Sequence, residues 1–179
     1  MCIRDRLKWL GEQGGEAGIT AAAAVSVPFD LSSCTDRMNQ GFSRVYQKHF
    51  VDLLKASARR KFSSLPPLFD VGNIEEIRTL REFDNRITAP LHGFKNAEDY
   101  YSKSSCKAFL KTIRVPTLIM NSLDDPFLEV SSFPSSSEVS LQVELEYHRK
   151  GGHAAFITGS PWNKSGWTET RVPEFFKTH

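Results

Sequence analysis

A chain of 179 residues is long enough for one hydrophobic core, burying roughly 70% of the surface its unfolded form exposes, and its length does not require a second domain. A composition of 40% hydrophobic and 25% charged residues is that of a globular protein. Lysine plus arginine exceeds aspartate plus glutamate only by 23 to 21, a bias too weak to argue for nucleic acid or an anionic membrane as partner.

Three scattered cysteines, Cys2, Cys34 and Cys106, form no C-x-x-C pair and no metal-like spacing and suggest reducing surroundings, with Cys34 and Cys106 read as small buried hydrophobes. The start, Met1 to Arg6, is charged and is followed by no signal-like apolar segment. The apolar run Ala21 to Val27 falls far short of the ~20 residues a membrane span needs. These features lead us to expect a cytoplasmic protein without a transmembrane segment.

In chain order, Leu7 to Glu12 reads as the end of a helix, with Leu7 and Leu10 on one face and Gly11 and Gly14 as terminators. Thr20 to Val27 reads as a buried strand closed by Pro28 and Phe29, and Asp30 to Thr35 as a turn. From Asp36 to about Phe62, Met38, Phe42, Val45, Tyr46, Phe50, Leu53, Leu54 and Ala58 recur at helical steps, and Pro66-Pro67 ends the pattern. Asn73 and Glu76 suggest a capping box for a helix carrying Ile74, Ile77, Leu80 and Phe83. A further short helix is expected from Asn96, and another from Ser104 or Ser105 through Phe109, Leu110 and Ile113. The basic cluster Lys55, Arg59, Arg60 and Lys61 reads as a solvated helix face, with a phosphate site as the alternative.

Val115 to Ser122 is a short apolar run bounded by Pro116 and a polar turn, the signature of a buried strand. The roughly 80 mainly helical residues from Thr35 to Arg114 lie between two sheet strands, far more than an ordinary crossover needs, and read as a cap inserted over the ligand end of the sheet, with a separate helical domain or a multi-helix crossover as alternatives. Beyond the loop Ser131 to Ser137, Leu141 to Tyr147 alternates as a half-covered strand does, and Gly151-Gly152 allows a tight turn before His153. A last helix spans Trp167 to Phe176, with Pro173 tolerable only near its first turn. The expected fold is therefore α/β: the last three, mostly parallel, strands of an open sheet, with a helical insertion.

Asp124 and His153 follow successive strands, at the sheet edge where open α/β folds carry their chemistry. A carboxylate on one ring nitrogen fixes an imidazole's tautomer and makes it an effective general base. Spacing alone leaves a plainer reading open, because Asp-Asp-Pro is also turn composition and a histidine after Gly-Gly is also a loop residue.

Several separated blocks carry a resemblance. They are Leu7-Lys8-Trp9-Leu10-Gly11-Glu12, Ser26-Val27-Pro28-Phe29-Asp30, Arg37-Met38 with Gly41-Phe42-Ser43-Arg44-Val45-Tyr46, and Arg81-Glu82-Phe83-Asp84. Ile87-Thr88-Ala89-Pro90, Pro116-Thr117-Leu118-Ile119 with Asp124-Asp125-Pro126-Phe127, and Gly151-Gly152-His153 complete the set. In these blocks the chain resembles the carboxyl-terminal half of the YheT-like hydrolases, a branch of the α/β-hydrolase superfamily related to the abhydrolase-domain esterases of the ABHD1/ABHD3 type. The resemblance implies a serine esterase with a Ser-His-Asp triad. His153 falls on the family histidine and Asp124 on the acid after an I-x-G-x-x-D-like turn in which Asn121 replaces glycine; Asp125 is the runner-up for that acid, and otherwise serves the turn or the strand end.

The family's G-x-S-x-G-G-N elbow would precede Leu7, where Met1 to Arg6 stand, and no G-x-S-x-G occurs in the chain. Ser26, Ser32, Ser33 and Ser43 lack elbow context. The resemblance thus implies a piece of a longer enzyme, inactive by itself. The whole would cleave carboxylic esters, acylglycerols among them, with residues 35–114 shaping the acyl pocket and no metal or organic cofactor. Two alternatives stand beside it: a non-catalytic module that completes a partner chain, and a pseudo-hydrolase that binds a lipid-like ligand. The oligomeric state stays open.

Overall fold

The computed structural model describes residues 3–67, 69–153, 156–160 and 163–179, which leaves Cys2 outside the described residues. In chain order its helices and strands are α1 (Ile3–Gln13), β1 (Ala22–Val25), α2 (Leu31–Met38), α3 (Ser43–Ser64), α4 (Leu80–Phe83), α5 (Ala89–Leu91) and α6 (Ala97–Ser104). Then follow β2 (Thr117–Ser122), β3 (Val143–His148), β4 (Ile157–Ser160), β5 (Asn163–Gly166) and α7 (Trp167–Thr178). The chain divides into two compact units, residues 1–30 with 105–179, and residues 31–104.

The first unit is built on a parallel three-stranded sheet in the order β1-β2-β3. Successive side chains of a strand point to opposite faces, and here each face meets a helical layer. Ile119, Ala22, Ala24 and Val143 pack with Leu7 and Leu10 of α1 and with Leu110 and Ile113. Leu118 and Met120 point the other way, with Ala21, Ala23 and Val25, onto Val172 and Phe175 of α7. The alanines of β1 leave room for a helix on both sides. All six residues of β2 are buried, which fits its place between two neighbours. Strand β3, at the edge, is buried only at Val143, and its remaining residues do not show the alternation of burial that its sequence suggests. The sheet is thus mostly parallel and flanked by helices, a partial α/β-hydrolase core.

Residues 105–114 belong to this unit, so the expected insertion of residues 35–114 corresponds to a compact unit of residues 31–104. They form a 3-10 helix, Lys107–Thr112, against α1. Pro173 lies inside α7, at its seventh residue, instead of near the first turn. Strands β4 and β5 form a separate antiparallel pair.

In the second unit the single helix expected over residues 36–62 is two helices, and the turn-like stretch before it is the start of α2. Gly41 explains the break, since its φ of +50° is one that L side chains rarely adopt. Asn39 secures the junction: its amide donates to the Thr35 carbonyl and its oxygen accepts from Gln47. Asn73 accepts from the Glu75 amide at the head of a 3-10 turn, Ile74–Glu76, while the capping box that opens a helix is Thr79 with Glu82. After α4 the chain widens into a π-turn, Asp84–Thr88, before α5. Arg81 joins α2, α4 and α6 through Ser32, Asp36 and Glu98.

Lys55 departs from the solvated face expected of its cluster. It is 5% exposed, and its ammonium donates to the carbonyls of Glu75 (3.1 Å) and Ile77 (3.3 Å), pinning the 3-10 turn to α3. Replacing it with methionine keeps the stem and strands two acceptors. We expect Lys55→Met to destabilise the helical unit by about 2 kcal/mol, read as faster amide exchange over residues 74–77 than over α6.

Candidate active site

Strand β2 ends at Ser122, and the turn beyond it presents two carboxylates with different environments. Asp124 is exposed, whereas the Asp125 side chain is 1% exposed. Asp125 forms a turn of the Asx type: one carboxylate oxygen accepts from the Phe127 amide at 2.9 Å, bridging Pro126. Its second oxygen lies 2.8 Å from Nδ1 of His153. The Phe127 ring stands edge-on to the imidazole, 4.7 Å between centroids, and limits its rotation. The His153 side chain remains 42% exposed.

The expected pairing of Asp124 with His153 is therefore replaced by a pairing with Asp125. The physical reason is the way the turn folds, which directs the buried carboxylate to the imidazole and the exposed one to the backbone. A single oxygen of Asp124 accepts from the Gly151 amide (3.0 Å), the Gly152 amide (2.9 Å) and the Ser122 hydroxyl. Consecutive carboxylates divide two tasks: Asp125 holds the ring, and Asp124 holds the backbone that carries it.

The Gly-Gly pair has a distinct requirement at each position. Gly152 has φ +60°, and a Cβ on Gly151 would stand 2.7 Å from the Phe156 ring. Asn121 is fully buried, and its amide makes two hydrogen bonds of 3.0 Å to the N–H and carbonyl of Val27. The Ser26 hydroxyl donates to the His153 carbonyl. These contacts of Asn121 and Ser26 connect strand ends distant in sequence, and no local pattern signals them. Asp125 did carry a signal, since an aspartate directly before Pro-Phe is placed to make an Asx turn that leaves one oxygen free.

An ionised carboxylate only accepts hydrogen bonds, so the short contact puts the proton on Nδ1 of His153 and leaves Nε2 as a proton acceptor. In that form Nε2 is able to take a proton from a neighbouring group.

The Ser122 hydroxyl, followed by the Gly152 and Gly151 amides, holds the Asp124 carboxyl below the usual carboxylate range. A carboxyl depressed in the folded state stabilises it above the ordinary value of about 4, and that contribution is lost as pH falls through the lowered value. As pH falls below about 4, toward and through that lowered value, we expect the Gly151 and Gly152 amide resonances to move together as their bonds break. Asp124→Asn, whose side-chain oxygen still accepts without titrating, should abolish that common shift.

A parallel sheet that delivers a buried carboxylate and an imidazole, in contact, from the ends of adjacent strands is a core of the α/β-hydrolase class. No family model matches the chain, and no solved structure matches it significantly. Among curated proteins it is 38% identical over 172 residues to "Putative esterase YheT" of Escherichia coli (strain K12), covering 95% of this chain and 51% of that protein. It is 27% identical over 155 residues to "Phospholipase ABHD3" of Bos taurus, covering 86% of this chain and 38% of that protein. It is also 30% identical over 191 residues to "Medium-chain fatty acid ethyl ester synthase/esterase 2" of Saccharomyces cerevisiae, covering 94% and 42%. The chain belongs to the YheT/ABHD family of α/β-hydrolases, within the broader esterase and lipase group, and spans about half the length of YheT and less of the others. No helix among the described residues is long and apolar enough to cross a membrane.

Proposed function

We propose that the whole protein containing this chain hydrolyses carboxylic esters, with His153 as general base and Asp125 as the carboxylate that orients it. The observation that carries the reading is the 2.8 Å contact between Nδ1 of His153 and the buried Asp125. A serine outside these 179 residues would attack the ester carbonyl. His153 Nε2 would take the serine proton and give it to the leaving alcohol, then take a proton from the water that attacks the acyl-serine and return it to the serine as the acid leaves. Asp125 would stabilise the imidazolium formed in each half. Asp124, the acid expected from the sequence, serves instead to hold the turn. The relatives' names place esters of fatty acids and phospholipids among their substrates.

The test is hydrolysis of aryl esters of graded acyl length by the full-length protein, together with labelling by a fluorophosphonate. Turnover and labelling that both collapse in His153→Ala support the reading. Turnover that survives His153→Ala overturns it.

A further inference from the structure

Strand β1 ends at Val25, but the residues after it are held as firmly as the strand. The Ser26 N–H donates to the Met120 carbonyl at 2.8 Å. One residue on, both polar backbone groups of Val27 are taken by the buried Asn121 amide. Between these clamps Ser26 has φ +56°, in the left-handed region that residues with a Cβ rarely enter. A serine stays there only where its surroundings over-determine it, and such positions cluster at functional sites. Its side chain is buried, and its hydroxyl donates to the backbone carbonyl of His153, 127 residues away in sequence.

We propose that Ser26 is a positioning residue for His153, an inference that rests on the catalytic reading above. Among the described residues, hydrogen bonds tie the histidine turn to other segments at three places: the ring to Asp125, the Gly151 and Gly152 amides to Asp124, and the His153 carbonyl to Ser26. The first two both originate in the turn after β2, so a segment held only there remains free to swing about it. Ser26 attaches from a different strand and stops that swing, fixing where Nε2 points. Asn121 enforces the backbone conformation that brings the hydroxyl to the carbonyl.

Ser26→Gly separates the hydroxyl from the backbone, because glycine adopts φ +56° without strain. In the full-length protein we expect it to lower kcat for an aryl ester by about 10- to 100-fold, with KM nearly unchanged, as a displaced base would. The Nδ1-bound proton of His153, followed by NMR, should broaden through faster exchange with water while the amide spectrum of β2 stays in place. A purely structural role would leave kcat per folded molecule and that proton unchanged, and this result overturns the proposal. If Ser26→Gly does not accumulate as folded protein, Ser26→Ala is measured in the same way, with the same two outcomes. Loss of turnover in His153→Ala with full turnover in Ser26→Gly refutes the Ser26 role alone. Full turnover in His153→Ala refutes the catalytic reading, and the NMR readout then decides whether Ser26 still orders the imidazole.

Discussion

Asp125→Asn in the full-length protein is expected to lower kcat by about 10⁴-fold, the size of effect that the same exchange has in a serine protease triad. The substitution is nearly isosteric, and the asparagine oxygen can still accept from the Phe127 amide, so the turn survives. What changes is the group facing Nδ1 of His153. An amide nitrogen there donates where a carboxylate accepts, so Nδ1 becomes the acceptor and the ring proton moves to Nε2. A base that already carries its proton on the working nitrogen cannot take another from the nucleophile. Asp124→Asn keeps an oxygen for the glycine amides and does not touch the ring, and should cost no more than about tenfold, the scale of a modest misplacement. Steady-state kinetics on both variants decides between the two carboxylates. A silent Asp125→Asn beside a crippled Asp124→Asn would return the orienting role to Asp124.

The contrast between these aspartates marks how far the sequence could be read. Strand β2 and the histidine turn were legible because each depends on local signals: an apolar run closed by Pro116 at one end, and two glycines at the other. The choice between Asp124 and Asp125 depends on how the turn after β2 folds, which hydrophobic periodicity does not encode. Helical periodicity likewise ran unbroken through Asn39 to Phe42, since apolar spacing registers a face and not the backbone angle that Gly41 adopts. Lys55 looked solvated because its neighbours Arg59 to Lys61 are charged, yet its ammonium satisfies two carbonyls from a segment twenty residues away. The links from Asn121 to Val27 and from Ser26 to His153 join distant segments whose meeting is a product of the fold. In each case the misread feature is a tertiary hydrogen bond or a single backbone dihedral.

Gly11 sets two measurable effects against each other. It was expected to end α1, but it lies within the helix, and Gly14, at φ +56°, follows the last helical residue. By helix propensity alone, Gly11→Ala should stabilise the protein by about 1 kcal/mol. Packing opposes this. A Cβ at Gly11 would stand 2.3 Å from the Phe109 carbonyl oxygen and 2.6 Å from the Phe109 Cβ, and the first of these is backbone that no rotamer change can move aside. Relief requires α1 to lift from the 3-10 helix of residues 107–112, which loosens Leu7 and Leu10 against Leu110 and Ile113 and strains the Thr112 hydroxyl bond to the Gly11 carbonyl. Overpacking of this kind costs typically about 1–3 kcal/mol in a well-packed core, more where backbone is the obstacle. We therefore expect Gly11→Ala to destabilise the sheet unit by about 2 kcal/mol net of the propensity gain. Gly15→Ala meets nothing within 4 Å and should be close to neutral. Urea unfolding of the two variants measures the difference, and a Gly11→Ala protein as stable as its parent would mean that α1 does not sit on the Phe109 backbone.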